Sequence, residues 1–403
     1  MIQISDKTKC CGCTACYSIC PGKCITMKAD FEGFLYPVID MELCMDCGAC
    51  EKVCPVLNQP KTEQIERKTY VIRSRNKENL LQSTSGGLFY PLSCMVSAEK
   101  GIMCAAGYDD EFNVIHMCVD MAQIENDNAW HKKFRGSKYV QSDLKDTYIQ
   151  IRDYLKQDRF VCFIGTTCQV AGLKNFLRTE YTNLVTVDLV CHGTPSPLLW
   201  KKYREFQVQK YRSDIKEVSF RSKIYGYHSG GMMKIDFQNG KHYCASARTD
   251  FMLKSFFSEI SSRPICYQCP MKELEHCSDL SLYDCWHYKK LTKNKKDDDS
   301  GYTNVILQSE KGRMILDKMQ EWIQVYPTDT DSAIRLDGVM IRKNAKKHPQ
   351  RDEFYKHLEE ENLDVHIAKF IPVTKKDYLT ENIKQCLYKT GILQILKNME
   401  KNR

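Results

Sequence analysis

The sequence predicts an α+β protein: a small cysteine-rich N-terminal module, a larger mixed α/β domain and a helical C-terminal tail. Three observations predict it. Two identical four-cysteine runs lie within the first 55 residues; apolar β-rich runs then alternate with amphipathic stretches; and residues 331–403 are dominated by helical periodicity without further motifs. The boundaries read as 1–60 for the module, 61–69 for a linker, 70–330 for the α/β domain and 331–403 for the tail.

The module is the most specific element. Cys10, Cys13, Cys16, Cys20 and Pro21 are repeated as Cys44, Cys47, Cys50, Cys54 and Pro55. Four thiolates at that spacing, closed by proline, suit a cubane 4Fe-4S cluster, with three close cysteines wrapping one cluster and the fourth reaching to its twin. One set is therefore Cys10, Cys13, Cys16 and Cys54, and the other Cys44, Cys47, Cys50 and Cys20. Zinc ribbons use two separated pairs, and disulfide frameworks belong to short secreted chains, so both fit this pattern badly. Cys11 and Cys24 fall outside the spacing and read as half-buried spacers. Between the runs, Cys24 to Asp30 and Leu35 to Asp40 are strand-like and joined through Asp30-Phe31-Glu32-Gly33, a hairpin that fits a two-cluster, ferredoxin-like unit.

Composition sets the context. The 403 residues are 42% apolar and 27% charged, with 22 cysteines and a net charge of +8. No apolar export signal precedes the first cysteine run, so the thiols are expected to be reduced and metal-bound in a cytoplasmic protein. No stretch is long and apolar enough to predict a transmembrane segment. Residues 1–60 hold five Lys/Arg against seven Asp/Glu, which places the basic balance on the rest of the chain. A basic face can steer an acidic carrier protein, or simply solvate the surface. No zinc finger or aromatic–basic motif points to nucleic acid.

Lys61 to Lys68 is polar and aperiodic, and reads as the linker. Tyr70 to Arg73 opens the second domain with a strand. Helices are expected at Gly87 to Ser97 and Gln169 to Leu177, and buried strands at Arg159 to Ile164 and Leu184 to Cys191. Val218 to Phe220, Met232 to Phe237 and Asn304 to Gln308 add strands, which favours a mixed sheet. Lys289 to Ser300 reads as an exposed loop. In the tail, Ile383, Leu387, Ile392, Ile395, Leu396 and Met399 share an apolar face, expected to pack on the protein body rather than on a membrane.

Four strings in the α/β domain combine glycine with hydroxyls or a cation: Ser83-Thr84-Ser85-Gly86-Gly87, Gly136-Ser137-Lys138-Tyr139, Gly165-Thr166-Thr167-Cys168-Gln169, and Val190-Cys191-His192-Gly193. Small residues opening a helix expose backbone N–H groups to a phosphate. The Gly-x-Gly-x-x-Gly fingerprint and the Walker loop are both absent. In this order, behind the two cysteine runs and with Phe220-Arg221-Ser222-Lys223, Arg263-Pro264-Ile265-Cys266-Tyr267-Gln268-Cys269 and Ser278-Asp279-Leu280, the chain resembles the coenzyme F(420) hydrogenase/dehydrogenase beta-subunit family over roughly residues 1–320.

That resemblance implies an FAD-binding mixed α/β domain with a third 4Fe-4S cluster beside the flavin. The implied cluster ligands are Cys168, Cys191, Cys266 and Cys269. The alternative is that Cys168 and Cys191 are small buried residues, while Cys266 and Cys269 bind zinc with Cys277 and Cys285. The flavin would lie on Ser83, Thr84, Ser85, Gly86, Gly87, Ser137, Lys138, Gly165, Thr166 and Thr167. The chain departs from the pattern at Thr167, where many relatives have proline, at Tyr283-Asp284-Cys285-Trp286-His287, and at Tyr227 in place of tryptophan. Cys94, Cys104, Cys118, Cys162, Cys244 and Cys386 are isolated and carry no site.

Clusters together with a flavin convert one-electron to two-electron chemistry. The expected activity is an oxidoreductase that exchanges electrons with ferredoxin or another redox protein and serves a small-molecule two-electron substrate. His192, Arg221, Lys223 and His228 are the substrate-side candidates, a histidine for the proton and the cations for an anionic substrate. The alternative is a non-catalytic electron-relay subunit of a larger redox complex.

Overall fold

The computed structural model describes residues 1–124, 129–294 and 296–393. In the module, β1 (Ile25–Ala29) and β2 (Leu35–Ile39) pair antiparallel, with Ile25 opposite Ile39. The Asp30 carboxylate makes the turn by accepting from the N–H groups of Glu32 and Phe34 at 3.1 and 3.0 Å. Gly33 sits at φ +83, and a Cβ there would lie 2.4 Å from the Leu198 Cβ, so the turn needs glycine both for its conformation and for its close seat on the helix Pro197–Tyr211.

The larger body is built on an eight-stranded sheet. Its strands are β3 (Thr69–Ser74), β4 (Ile102–Tyr108), β5 (Val114–Asp120), β6 (Val161–Thr166), β7 (Leu184–Leu189), β11 (Leu280–Asp284), β12 (Thr303–Leu307) and β13 (Ile323–Thr328), in the order β13-β3-β12-β11-β7-β6-β4-β5. The central pairs β11·β7, β7·β6 and β6·β4 are parallel; the outer pairs are antiparallel. The sheet is therefore mixed, as the strand pattern implied. The first five residues of β6 and of β7 are all buried, which is why their sequences read as unbroken apolar runs. A second sheet, β8 (Ile215–Ser219), β9 (Met232–Phe237) and β10 (His242–Ser246), is antiparallel in the order β10-β9-β8.

One apolar core crosses the expected boundaries. Phe34 and Tyr36 from the first hairpin, Trp200, Phe220 and Phe237 around the second sheet, and Phe354, Tyr355 and Leu363 from the C-terminal region pack together. Arg351, 2% exposed, forms a two-pronged ion pair with Glu32 in the hairpin turn, both contacts at 2.5 Å. Module and tail are thus tied by a buried charge pair as well as by apolar area.

Three expectations need correction. Lys289 to Ser300 is not simply an exposed loop: Tyr288–Thr292 is helical, Asp299 and Ser300 are buried, and Asp298 pairs with Arg73 at 2.8 Å. The C-terminal helix Lys375–Lys389 docks through polar groups rather than through an apolar face. Glu381 is buried against Ser246 and the Lys384 ammonium reaches Ser229 O at 2.9 Å, whereas Ile383 and Ile392 are exposed. Ile395, Leu396 and Met399 lie outside the described residues. Finally, Cys104 and Cys118 are not isolated: they face each other across β4 and β5 and form a disulfide. Among the described residues no helix is long and apolar enough to cross a membrane.

Candidate functional site

The module gathers its cysteines in two places. Cys20, Cys44, Cys47 and Cys50 surround a small cavity of about 20 Å³, so the fourth cysteine of the first run stands with the first three of the second. Cys24 lines the same space, its sulfur 3.3 Å from that of Cys20. In the other set, burial pushes the Cys16 thiol up to about 12, with Cys10 and Cys54 the nearest charges adding to the effect. Thiolates crowded in an apolar pocket repel one another and lose water, so they persist only beside compensating positive charge, which a bound iron centre supplies. Among the described residues no three Cys, His, Asp or Glu side chains converge on a point that could grip a single metal ion. Cys20, Cys44, Cys47 and Cys50 instead stand around a shared void.

The third cysteine group lies where parallel strands end, the usual place for a site in an open α/β sheet. β6 runs into the helix Thr167–Leu177 through a capping box: Gln169 Oε1 accepts from the Thr166 N–H at 2.9 Å while the Thr166 hydroxyl caps the first turn. Cys168 is thereby fixed in the first turn, its sulfur 3.3 Å from Thr166 Oγ1. After β7, Cys191 is followed by Gly193 at φ +103, whose N–H donates to the Cys191 sulfur at 3.3 Å. A Cβ on Gly193 would lie 2.5 Å from Ser262 Oγ, so glycine lets this loop close on the segment carrying Cys266 and Cys269. The Arg263 N–H donates to Thr194 O at 3.0 Å and completes the junction.

All four cysteines line one cavity of about 620 Å³. Burial raises the thiol pKa of Cys191, of Cys266 and of Cys269, the last to about 12, with neighbouring cysteines adding to each shift. Cys285 does not share the cavity lining; it is buried among Val71, Tyr288 and Tyr302. Cys277 packs beside Cys11 and Cys13.

The same cavity is lined by Ser83, Thr84, Ser85, Gly87, Ser137, Lys138, Gly165, Thr166 and Thr167. Two loops are joined by the Ser137 N–H donating to Thr84 Oγ1 at 2.9 Å. Gly86 is set apart: a Cβ there would lie 2.5 Å from Ile72 O, and its N–H donates to Thr303 Oγ1, so it serves packing. Lys138 directs its ammonium to Phe134 O at 2.8 Å, and burial lowers its pKa to about 7. The glycine–hydroxyl wall adjoins the four cysteines in one cavity large enough for a nucleotide-sized ligand.

The substrate-side candidates separate. His192 lines the cavity; its Nε2 meets Glu259 Oε1 at 2.6 Å, and its buried Nδ1 has no protein partner. Arg221 also lines it, held by Asp284 at 2.5 Å with its guanidinium 5.0 Å from the Trp286 ring centre. Tyr227 stacks on Trp286, ring centres 4.5 Å apart, and its hydroxyl donates to Asp284 at 3.3 Å. Lys223, expected to hold an anion, instead gives its ammonium to three carbonyls, Leu80 O, Ser85 O and Ser300 O, at 2.5–2.7 Å. His228, expected near the substrate, pairs with Asp297 at 2.7 Å and is not part of the cavity wall.

Arg263 stands in the sequence only as the first residue of a string. It is 1% exposed and joins the two halves: Nε donates to Cys10 O at 2.7 Å, Nη1 to Gln141 Oε1 at 2.9 Å, and Nη2 to Leu35 O at 2.9 Å, with the Cys10 sulfur at 3.5 Å. His116, a further cavity residue, has its pKa lowered by burial to about 4 and bonds Ser142 and Ile164 O, which makes it a neutral structural imidazole. Neither could be found from spacing, because their partners lie more than 20 residues away.

Comparison with known proteins matches two segments of the chain. Residues 158–331 match the family described as the C terminus of the coenzyme F420 hydrogenase/dehydrogenase beta subunit, and residues 9–58 match the 4Fe-4S dicluster domain. No curated protein matches the chain. Among solved structures, it is similar to a chain of the F420-reducing nickel–iron hydrogenase complex from Methanosarcina barkeri, studied by xenon derivatization: 16% identical, TM-score 0.42, covering 75% of this chain and 90% of that one.

Proposed function

We propose that this chain, whose residues 158–331 belong to the coenzyme F420 hydrogenase/dehydrogenase beta-subunit family behind a 4Fe-4S dicluster domain, is an iron–sulfur flavoprotein oxidoreductase. It exchanges electrons with ferredoxin or a partner redox protein at the module and serves a small-molecule two-electron substrate at the large cavity. The carrying observation is the shared wall: Cys168, Cys191, Cys266 and Cys269 line the same cavity as nine of the glycine–hydroxyl residues. When bound, the clusters supply one-electron steps and FAD joins them into two-electron chemistry.

The residues divide the work. Cys10, Cys13, Cys16 and Cys54, Cys20, Cys44, Cys47 and Cys50, and Cys168, Cys191, Cys266 and Cys269 are three ligand sets. Thr84, Ser137 and Thr166 present hydroxyls, and the loop at Gly87 presents backbone, to a nucleotide. His192, oriented by Glu259, holds a proton with Nδ1 free of protein partners. Arg221, kept charged by Asp284, marks the place of an anionic group on the substrate. The description of the matched family as a beta subunit favours one second reading, a relay inside a complex, in which the cavity turns over no small molecule.

The test is the iron, acid-labile sulfide, zinc and flavin content of anaerobically purified protein. About 12 irons and one FAD per chain support the proposal. About eight irons, with zinc and no flavin after reconstitution, overturn it and leave the relay.

A further inference from the structure

Cys11 lies between two ligand sets without belonging to either. The motif spacing passes over it, yet its side chain is buried, lines the large cavity together with Cys168, and packs in one apolar cluster with Cys13, Cys168 and Cys266. Its neighbours in that cluster come from both sets: Cys13 from one, Cys168 and Cys266 from the other.

The surrounding backbone holds it there. Cys11 O accepts from Gln141 Nε2 at 3.0 Å, and Arg263 grips the preceding carbonyl of Cys10. Gly12 follows at φ +70, and a Cβ on it would lie 2.7 Å from Gln141 Nε2 and 2.8 Å from Arg263 Nη1. On the other side, Gly172 lies one turn beyond Cys168 in the helix Thr167–Leu177; a Cβ there would lie 2.8 Å from Cys13 Cβ and 2.9 Å from its sulfur. Two glycines at one junction bring the Cys13 loop onto the helix that carries Cys168, and the Cys11 thiol fills the gap.

We infer that the Cys11 thiol is a positioning bridge between the ligand set Cys10, Cys13, Cys16 and Cys54 and the set Cys168, Cys191, Cys266 and Cys269. It carries the contact across which one electron passes and donates a hydrogen bond to a ligand sulfur. With clusters bound in both sets, the one held by Cys10, Cys13, Cys16 and Cys54 would lose the single electron that the one held by Cys168, Cys191, Cys266 and Cys269 gains; dithionite supplies that electron in the test. Hydrogen bonds to cluster sulfurs favour the more negative, reduced state, so removing the donor lowers the midpoint potential. This inference rests on the third ligand set proposed above.

The experiment compares anaerobically reconstituted full-length wild type, Cys11→Ala and Cys11→Ser. The readouts are iron content, EPR-monitored redox titration, and the EPR spectrum of the fully reduced state. Wild type is expected to show spin–spin interaction between the two reduced centres. Cys11→Ala is expected to retain iron, weaken that interaction, and shift one potential negative by about 59 mV, a tenfold change for one electron. Cys11→Ser, which keeps a donor, is expected to recover most of the potential shift. Full iron with unchanged potentials and unchanged coupling in the alanine variant overturns the bridge alone. Loss of about four irons in both variants makes Cys11 a ligand and also overturns it. Non-interacting signals in fully reduced wild type overturn it even if neither variant folds. About eight irons in wild type overturn the third ligand set, and the bridge falls with it.

Discussion

Replacing Glu32 by glutamine is expected to destabilise the protein by about 3 kcal/mol, the lower end of the cost of breaking a buried ion pair, because Arg351 keeps a second, exposed carboxylate in Asp352. Arg351 is 2% exposed on its side chain and Glu32 7%, and the fork of the guanidinium meets both carboxylate oxygens at 2.5 Å. Arg351 also donates to Ser262 O at 3.1–3.2 Å and lies 4.6 Å from the Tyr355 ring centre, and its second carboxylate partner, Asp352 at 3.3 Å, is 64% exposed and so compensates it only weakly when Glu32 is lost. Burial works against its charge, and the Glu32 hydrogen bond together with nearby Tyr355 reverses this and raises its pKa above the ordinary value. In Glu32→Gln the amide turns an N–H₂ donor towards one guanidinium donor, and the positive charge keeps only the exposed Asp352 as its counter-ion.

The assay is anaerobic urea unfolding followed by far-UV circular dichroism and by the visible absorption of the module. The glutamine variant should shift both transitions, and the visible one first, because Glu32 sits in the hairpin turn. Glu32→Leu combined with Arg351→Met should recover most of the loss, since an apolar replacement of both charges removes the desolvation cost along with the attraction. A glutamine variant within about 1 kcal/mol of wild type, the range of an exposed pair, would refute the reasoning. So would a double variant no more stable than the single one.

Three further outcomes follow from the site. Arg263→Gln should lower the potential of the centre held by Cys10 by roughly 59 mV, a tenfold change per electron, because it removes a buried cation from a ligand sulfur; EPR-monitored titration reads it. Gly172→Ala should reduce iron per chain, because overpacking against Cys13 costs about 1–3 kcal/mol while the helix propensity gained is about 1 kcal/mol; Gly172→Ala with full iron and unchanged stability would contradict the close approach. The ion pair of His276 with Asp188, 2.6 Å apart and buried, gives stability a bounded pH window. Burial opposes the His276 charge but Asp188 outweighs it and raises the pKa above 6.5, so its contribution is complete below 6.5 and is lost as pH rises through the raised value. Burial likewise opposes the Asp188 charge, but His276 and hydrogen bonds lower the pKa below 3.8, so that contribution is complete above 3.8 and is lost as pH falls through the lowered value. Thermal midpoints measured from pH 4 to 9 should therefore fall less steeply on the alkaline side in Asp188→Asn than in wild type.

The sequence alone determined what local spacing encodes. Two cysteine runs closed by proline specify their ligand chemistry within a dozen residues each, and Asp30 to Gly33 specify a turn through one carboxylate and one glycine. β6 and β7 were legible because burial on both faces writes continuous apolar runs. β4, with the sequence Ile-Met-Cys-Ala-Ala-Gly-Tyr, was not legible: its small residues carry little strand preference, and only its place between β5 and β6 makes it a strand.

Tertiary structure decided what depends on partners far apart in the chain. Whether a lysine faces a cavity or three carbonyls is invisible in Phe220-Arg221-Ser222-Lys223, because the carbonyls belong to Leu80, Ser85 and Ser300. The same holds for the apolar residues of the last helix, where buried Glu381 rather than Ile383 makes the contact. Cys11 and Cys24 read as spacers because spacing counts residues, whereas a sulfur's role is set by which other sulfurs it meets in space. A ligand motif is a local pattern, but a junction between two motifs exists only once the chain has folded them together.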